Sequence, residues 1–154
     1  MDYDTLLSRL AARCSAAELC TADIRHKLEA TDLTPDECER LLRHMIEEGY
    51  VDDSRYARAF VRDKFRFSGW GRVKIAQGLR AKQLPEAIIS EALIEIDEDD
   101  YRRALAELLC KGRKTIRGRT PYETNGKLIR FAMGRGYELP LIMDELKADG
   151  FDLD

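Results

Sequence analysis

The residues best suited to chemistry in this 154-residue chain are few: Cys14, Cys20, Cys38 and Cys110, with His26 and His44 as its only histidines. Cys14, Cys20, His26 and Cys38 are the right types for a zinc site, but their spacings match no zinc motif, because such sites are built from closely spaced ligand pairs. No C-x-x-C occurs. The cysteines are expected to be reduced, partly buried small hydrophobes without a disulfide framework. Ser68-Gly69-Trp70-Gly71 contains a G-x-G but lacks a preceding strand and a third glycine, so it is not a phosphate-binding loop. Neither histidine has a catalytic neighbour in sequence, and no strand-to-helix nucleophile elbow exists. The expectation is a non-enzyme with no catalytic residue, metal or cofactor.

The cations are more informative. Lys and Arg number 26 against 29 Asp and Glu, a net charge of −3, with a pI near 5.6. That balance hides alternating blocks: −7 over residues 1–53, +8 over 54–82, −7 over 83–100, +8 over 101–135 and −5 over 136–154. A chain so segregated can offer a positive face to an anionic partner despite its acidic pI. On a helical wheel over 53–67, Tyr56, Ala57, Phe60, Val61 and Phe67 share one arc, and Arg55, Arg58, Arg62 and Arg66 share another. An ordinary solvated face mixes signs, whereas Arg58–Arg62 and Arg62–Arg66 are repelling i,i+4 pairs. The stripe therefore reads as a binding face for a polyanion or an acidic surface.

Further candidates extend it. Lys74, Gly78 and Lys82 form a second stripe opposite Ile75, Ala76 and Leu79. Gly78 costs a helix about 1 kcal/mol relative to Ala, so either another backbone or a closely packed helix should lie against it. Trp70 is either a core anchor or an exposed contact residue. Arg72 continues the basic run, and a Gly-containing loop over 112–119 adds Arg113, Lys114, Arg117 and Arg119. Lys64 falls in the middle of the apolar arc. Its stem should pack on apolar atoms while its ammonium reaches an acid or water, with Asp52, Asp53 and the acids of 97–100 as candidate partners.

The elements that must position these residues are helical. Apolar residues recur at 3–4 spacing, and Thr34-Pro35-Asp36-Glu37, Asp53-Ser54, 97–100 and Thr120-Pro121 read as helix starts, with stops at Gly49, Ser68-Gly69, Gly112 and Gly134–Gly136. This predicts helices near 3–18, 21–31, 35–48, 53–67, 70–82, 85–96, 98–112, 122–135 and 138–149. Ile24, Leu28, Leu33, Cys38 and Leu42 match Ile75, Leu79, Leu84, Ile89 and Leu93 after 51 residues. Lys74-Ile75, Leu84, Ile88-Ile89 and Leu93 match Lys127-Leu128, Tyr137, Leu141-Ile142 and Leu146 after 53. A period near 50 predicts an all-α array of three tandem three-helix repeats, 1–52, 53–97 and 98–154, elongated and curved; a single all-α domain with chance internal similarity is the alternative. Apolar runs reach only three residues, as in Ala87-Ile88-Ile89, against the roughly 18 that span a bilayer. The chain is expected to be cytoplasmic, without a leader or a membrane partner, and monomeric.

At this point the residues resemble a family. Asp52-Asp53-Ser54-Arg55-Tyr56-Ala57-Arg58-Ala59-Phe60-Val61-Arg62-Asp63-Lys64, Gly69-Trp70-Gly71-Arg72-Val73-Lys74-Ile75 and Leu79-Arg80-Ala81-Lys82 resemble the signature of RecX regulatory proteins. Lys127-Leu128-Ile129-Arg130-Phe131-Ala132-Met133-Gly134-Arg135-Gly136-Tyr137 is similar to the family's third repeat. Cys14-Ser15-Ala16-Ala17-Glu18-Leu19-Cys20 through Lys27-Leu28 is similar to a variant from the Bacteroidetes branch. The resemblance implies a non-enzymatic modulator that docks in the groove of the RecA filament on DNA, inhibits ATP hydrolysis, coprotease activity and strand exchange, and limits filament growth. Because the pI is lower than in many relatives, direct DNA binding is expected to be weak. Two other readings remain: a helical-repeat module that binds nucleic acid without RecA, and a scaffold for an acidic protein.

Overall fold

The computed structural model describes residues 1–148, and every regular element among them is a helix: α1 (Tyr3–Ala16), α2 (Thr21–Glu29), α3 (Pro35–Glu47), α4 (Asp53–Arg66), α5 (Arg72–Ala81), α6 (Glu86–Leu93), α7 (Glu98–Thr115), α8 (Pro121–Gly134) and α9 (Leu139–Ala148). Three of the expected start signals, at Thr34, Asp97 and Thr120, act as caps. Thr34 Oγ1 accepts the Glu37 N–H at 3.2 Å while Glu37 accepts the Thr34 N–H at 3.0 Å, a reciprocal capping box ahead of Pro35. Asp97 and Thr120 accept from the backbone N–H groups of Asp100 and Glu123 at 3.0 and 3.1 Å. Gly49, with φ +78°, takes the left-handed conformation that ends the turn after α3.

The chain forms two compact units, and the middle three helices are divided between them. One comprises residues 1–60 and 79–92, the other 61–78 and 93–148 of the described chain. In the first, α3 packs on α1 and α2 around Leu6, Leu10, Ile24, Leu28, Leu41, Leu42, Met45 and Val51. In the second, α7, α8 and α9 pack on one another, with Leu105, Leu109, Leu128, Ala132, Ile142 and Leu146 buried. Of the recurring apolar positions, Ile24, Leu28, Leu42, Ile75, Leu79, Leu84, Ile89, Leu128, Tyr137, Ile142 and Leu146 are buried, and Leu33, Cys38, Ile88, Leu93 and Leu141 are half-buried. Each such Leu or Ile contributes about 1.5–3 kcal/mol when fully covered, so the period found in the sequence is the period of the core.

Three local expectations are corrected. Gly112 does not stop α7, which continues to Thr115. A Cβ on Gly112 would stand 3.0 Å from Leu128 Cδ2 and 3.4 Å from Phe131 Cδ1, so the glycine permits close packing with α8. Arg113 and Lys114 consequently lie on α7, and only residues beyond Thr115 form the basic loop. Phe67, counted on the apolar arc, is 84% exposed, because α4 ends at Arg66 and the chain leaves the wheel there. Finally, α5 begins at Arg72 instead of Trp70. Its start carries no side-chain cap signal because other elements satisfy its donors: the Gly71 and Val73 N–H groups donate to the Arg135 and Gly136 carbonyls at 2.8 and 2.9 Å, and the Arg72 N–H donates to Tyr101 Oη at 2.9 Å.

Candidate functional site

Several of the candidate cations are paired within the fold. Arg55 is spent within the first unit. Its Nε donates to Glu18 Oε1 at 2.6 Å, and its Nη2 donates to the Gly49 and Tyr50 carbonyls at 3.1 and 3.3 Å, fastening the chain after α3. The Glu18 bond raises its pKa further. Lys82 is also spent there, donating to Asp23 Oδ1 at 2.8 Å. Asp23 Oδ2 in turn accepts the Cys20 N–H at 3.1 Å at the start of α2. Burial works against the Asp23 charge, but the Lys82 and Cys20 bonds outweigh it and hold the carboxyl below its ordinary value. Cys20 is fully buried, and burial pushes its thiol up to about 11, so it is an inert small hydrophobe.

In the second unit Arg72 is enclosed by a polar network that sequence reasoning missed. It pairs with Glu98 and, through Nη1 at 2.9 Å, with Glu138 Oε2. Its guanidinium carbon lies 3.8 Å from the centroid of the Tyr101 ring. Tyr101 is fully buried; its hydroxyl donates to Glu138 Oε1 and accepts the Arg72 N–H. Burial, joined by the Glu138 bond, pushes this phenol well above its ordinary range, so it remains a donor. Tyr137, with its ring centroid 5.0 Å from that of Tyr101, is pushed up to about 12 by burial. Tyr101 had one legible signal, since it stands where Tyr56 stands in the preceding repeat. Glu138 had none, lying 66 residues from Arg72.

Trp70 is half-buried, with the Lys64 and Lys74 ammonium groups each 4.7 Å from its ring centroid. Lys64 is half-buried, and its ammonium lies against an aromatic face. Two of its candidate carboxylates have other work: Asp52 accepts the Arg55 N–H at 3.0 Å, and Asp53 accepts from the Thr21 N–H and hydroxyl, each at 2.8 Å.

Among the other candidates, Arg58, Arg62, Arg66, Lys114, Arg117 and Arg119 make no ion pair with a described residue. Arg58 is half-buried in the first unit; Arg62 and Arg66 are exposed in the second, all three at i,i+4 spacing on α4. Lys114, Arg117 and Arg119 are exposed, Arg117 donating to the Ile116 carbonyl at 3.2 Å. Arg113 is half-buried on α7. Among the described residues no cluster of His, Cys, Asp and Glu could hold a metal ion, and no helix is long and apolar enough to cross a membrane.

Comparison with known proteins places these elements. Residues 52–93, from the start of α4 to the end of α6, match a family model described as the second three-helix domain of RecX. A crystal structure of a regulatory protein RecX superposes with a TM-score of 0.82 at 23% identity, covering 92% of this chain and 71% of that one. RecX from Lactobacillus salivarius superposes with a TM-score of 0.84 at 18% identity, covering 95% of each chain. These show the three-helix-repeat fold. The chain spans about three fifths of the length of several clostridial relatives, including regulatory protein RecX of Clostridium acetobutylicum, to which it is 31% identical over 129 residues. It is 33% identical over 130 residues to regulatory protein RecX of Chromohalobacter salexigens, covering 84% of this chain and 81% of that one. With the middle-repeat signature, the fold and the sequence of a near-full-length relative in agreement, the chain belongs to the RecX family.

Proposed function

We propose that this protein is a non-enzymatic regulator that binds the RecA–DNA filament and inhibits its ATPase, coprotease and strand-exchange activities, and so modulates recombination and repair. Family membership supports the regulatory role. The observation that carries the site is the row Arg58, Arg62 and Arg66 on α4, three like charges without an ion pair to any described residue. Their mutual repulsion disfavours the free protein slightly, and an anionic partner relieves it. Arg55, Arg72 and Lys82 hold the fold and leave the contact to these arginines, with Lys74, Trp70, Arg113, Lys114, Arg117 and Arg119 as further members.

The test is the DNA-dependent ATPase of the cognate RecA, titrated with wild type and with the Arg58→Glu/Arg62→Glu variant, circular dichroism confirming that both are folded. Inhibition by the variant should weaken at least tenfold, about 1.4 kcal/mol. A folded variant that inhibits like wild type would make the row an ordinary solvated face.

A further inference from the structure

The second unit contains a groove of about 690 Å³ where the end of α4 and the turn after it meet α7 and the C-terminal end of α8. Phe65, Phe67 and Phe131 line it, with Tyr137 buried beneath, and its cations are Arg66, Lys111 and Arg135. All three cations are exposed, and none pairs with a described carboxylate. Glu107 is the single acid in the lining. The groove is therefore cationic and aromatic at once.

Phe67 is the decisive residue. A side chain of this size gains most from burial, yet 84% of it faces solvent. Its backbone is fixed: the Phe67 N–H donates to the Asp63 carbonyl at 2.8 Å, the Trp70 N–H closes the turn onto the Lys64 carbonyl at 3.0 Å, and Gly69 between them has φ +70°. The ring is thus presented by a closed turn. In the same lining the Arg135 guanidinium carbon lies over the Phe131 ring, 5.3 Å from its centroid, a cation held against a second aromatic.

We propose that this groove binds single-stranded nucleic acid, with a base stacked on Phe67 and the backbone phosphates drawn to Arg66, Lys111 and Arg135. Aromatic faces alternating with cations are what an unpaired strand requires, because every base has a π-face and every linkage a charge. A duplex hides its base faces and would use the cations alone. The inference rests on the proposed filament reading only in taking DNA as the source of the strand, and its test contains no RecA.

The experiment follows fluorescence anisotropy of a labelled oligothymidylate and of a length-matched abasic deoxyribose-phosphate strand, at one low salt concentration, with the full chain. Wild type should prefer the base-bearing strand by about tenfold. Phe67→Ala should bring that affinity down to the abasic level, Phe67→Tyr should retain it, and Arg66→Gln/Arg135→Gln should weaken both strands. Phe67 contributes little to the core, so unchanged helicity is expected of its variants. Equal binding of the two strands, no measurable binding by wild type, or an unaltered preference in Phe67→Ala overturns the proposal. If Phe67→Ala leaves strand binding intact but weakens inhibition in the separate RecA assay, the groove is a protein contact and the filament reading survives without this one.

Discussion

Among single residues, Asp23 and Lys82 show how a basic side chain that looks available for a partner can be committed to the fold. Asp23 serves two donors, the Lys82 ammonium and the Cys20 N–H, and lies near the buried start of α2. The pair is worth about 1 kcal/mol at most, because Lys82 is 40% exposed and water screens it. Its pH dependence has a defined sign. Asp23 titrates below its ordinary 3.8 in the folded protein, so its contribution is complete above that value and is lost as pH falls through the folded pKa. Lys82 titrates above 10.5, held up chiefly by the Asp23 bond, so its share is lost only as pH rises through that higher value. The difference in urea midpoint between wild type and Asp23→Asn should therefore be constant from about pH 5 to 9 and close on acidification below about 4. A gap that does not narrow at all on acidification would assign the residue's effect to the capping geometry instead of its charge.

Between elements, the N-terminus of the second helix in each of the first two repeats is completed by the first helix of the next. Asp53, the first residue of α4, accepts from the Thr21 N–H at the start of α2; Tyr101 of α7 accepts from the Arg72 N–H at the start of α5. The two pairs differ in chemistry, a carboxylate in one and a buried phenol in the other, yet both answer donors that a helix start leaves open. Around α5 this requires near contact of backbones. A Cβ on Gly71 would stand 2.5 Å from the carbonyl carbon and oxygen of Gly136, and one on Gly136, whose φ is +99°, would stand 2.4 Å from Lys74 Cβ. Gly71→Ala should destabilise by about 1–3 kcal/mol or more, since neither backbone can move without breaking the bonds to Arg135 and Gly136. Gly126→Ala is the opposing control. That position lies within α8, its nearest neighbour would be an Arg130 Nη1 at 3.6 Å, and removing the helix-interior glycine should stabilise by about 0.5–1 kcal/mol. Urea midpoints moving in the same direction for both variants would contradict this account of α5.

For the whole molecule, what was legible in the sequence is what repeats locally. The helices and the buried positions of Ile24, Ile75 and Leu128 follow from spacing, which one segment displays by itself. The commitments of Arg55, Lys82 and Arg72 do not, because their acids lie 37, 59 and 66 residues away and a wheel shows only the face of one helix. Phe67 escaped for a related reason: the wheel carried on past the last helical residue. What remains is a chain of net charge −3 in which α4 carries three arginines without an ion pair to a described residue, so long-range attraction to DNA is small and short-range phosphate contact must dominate any binding to it. Salt therefore distinguishes the possible partners of the row. Each neutralised phosphate contributes a log–log slope of roughly −0.7 on single strands and −0.9 on duplex. If Arg58, Arg62 and Arg66 contact phosphates in the filament, changing all three to Gln should make the salt slope of filament binding shallower by about 2 to 3 units, the sum of three such terms. If they face acidic groups of the recombinase instead, the triple variant should bind more weakly at every salt concentration while the counterion-release slope stays that of wild type, and the phosphate assignment of this row fails.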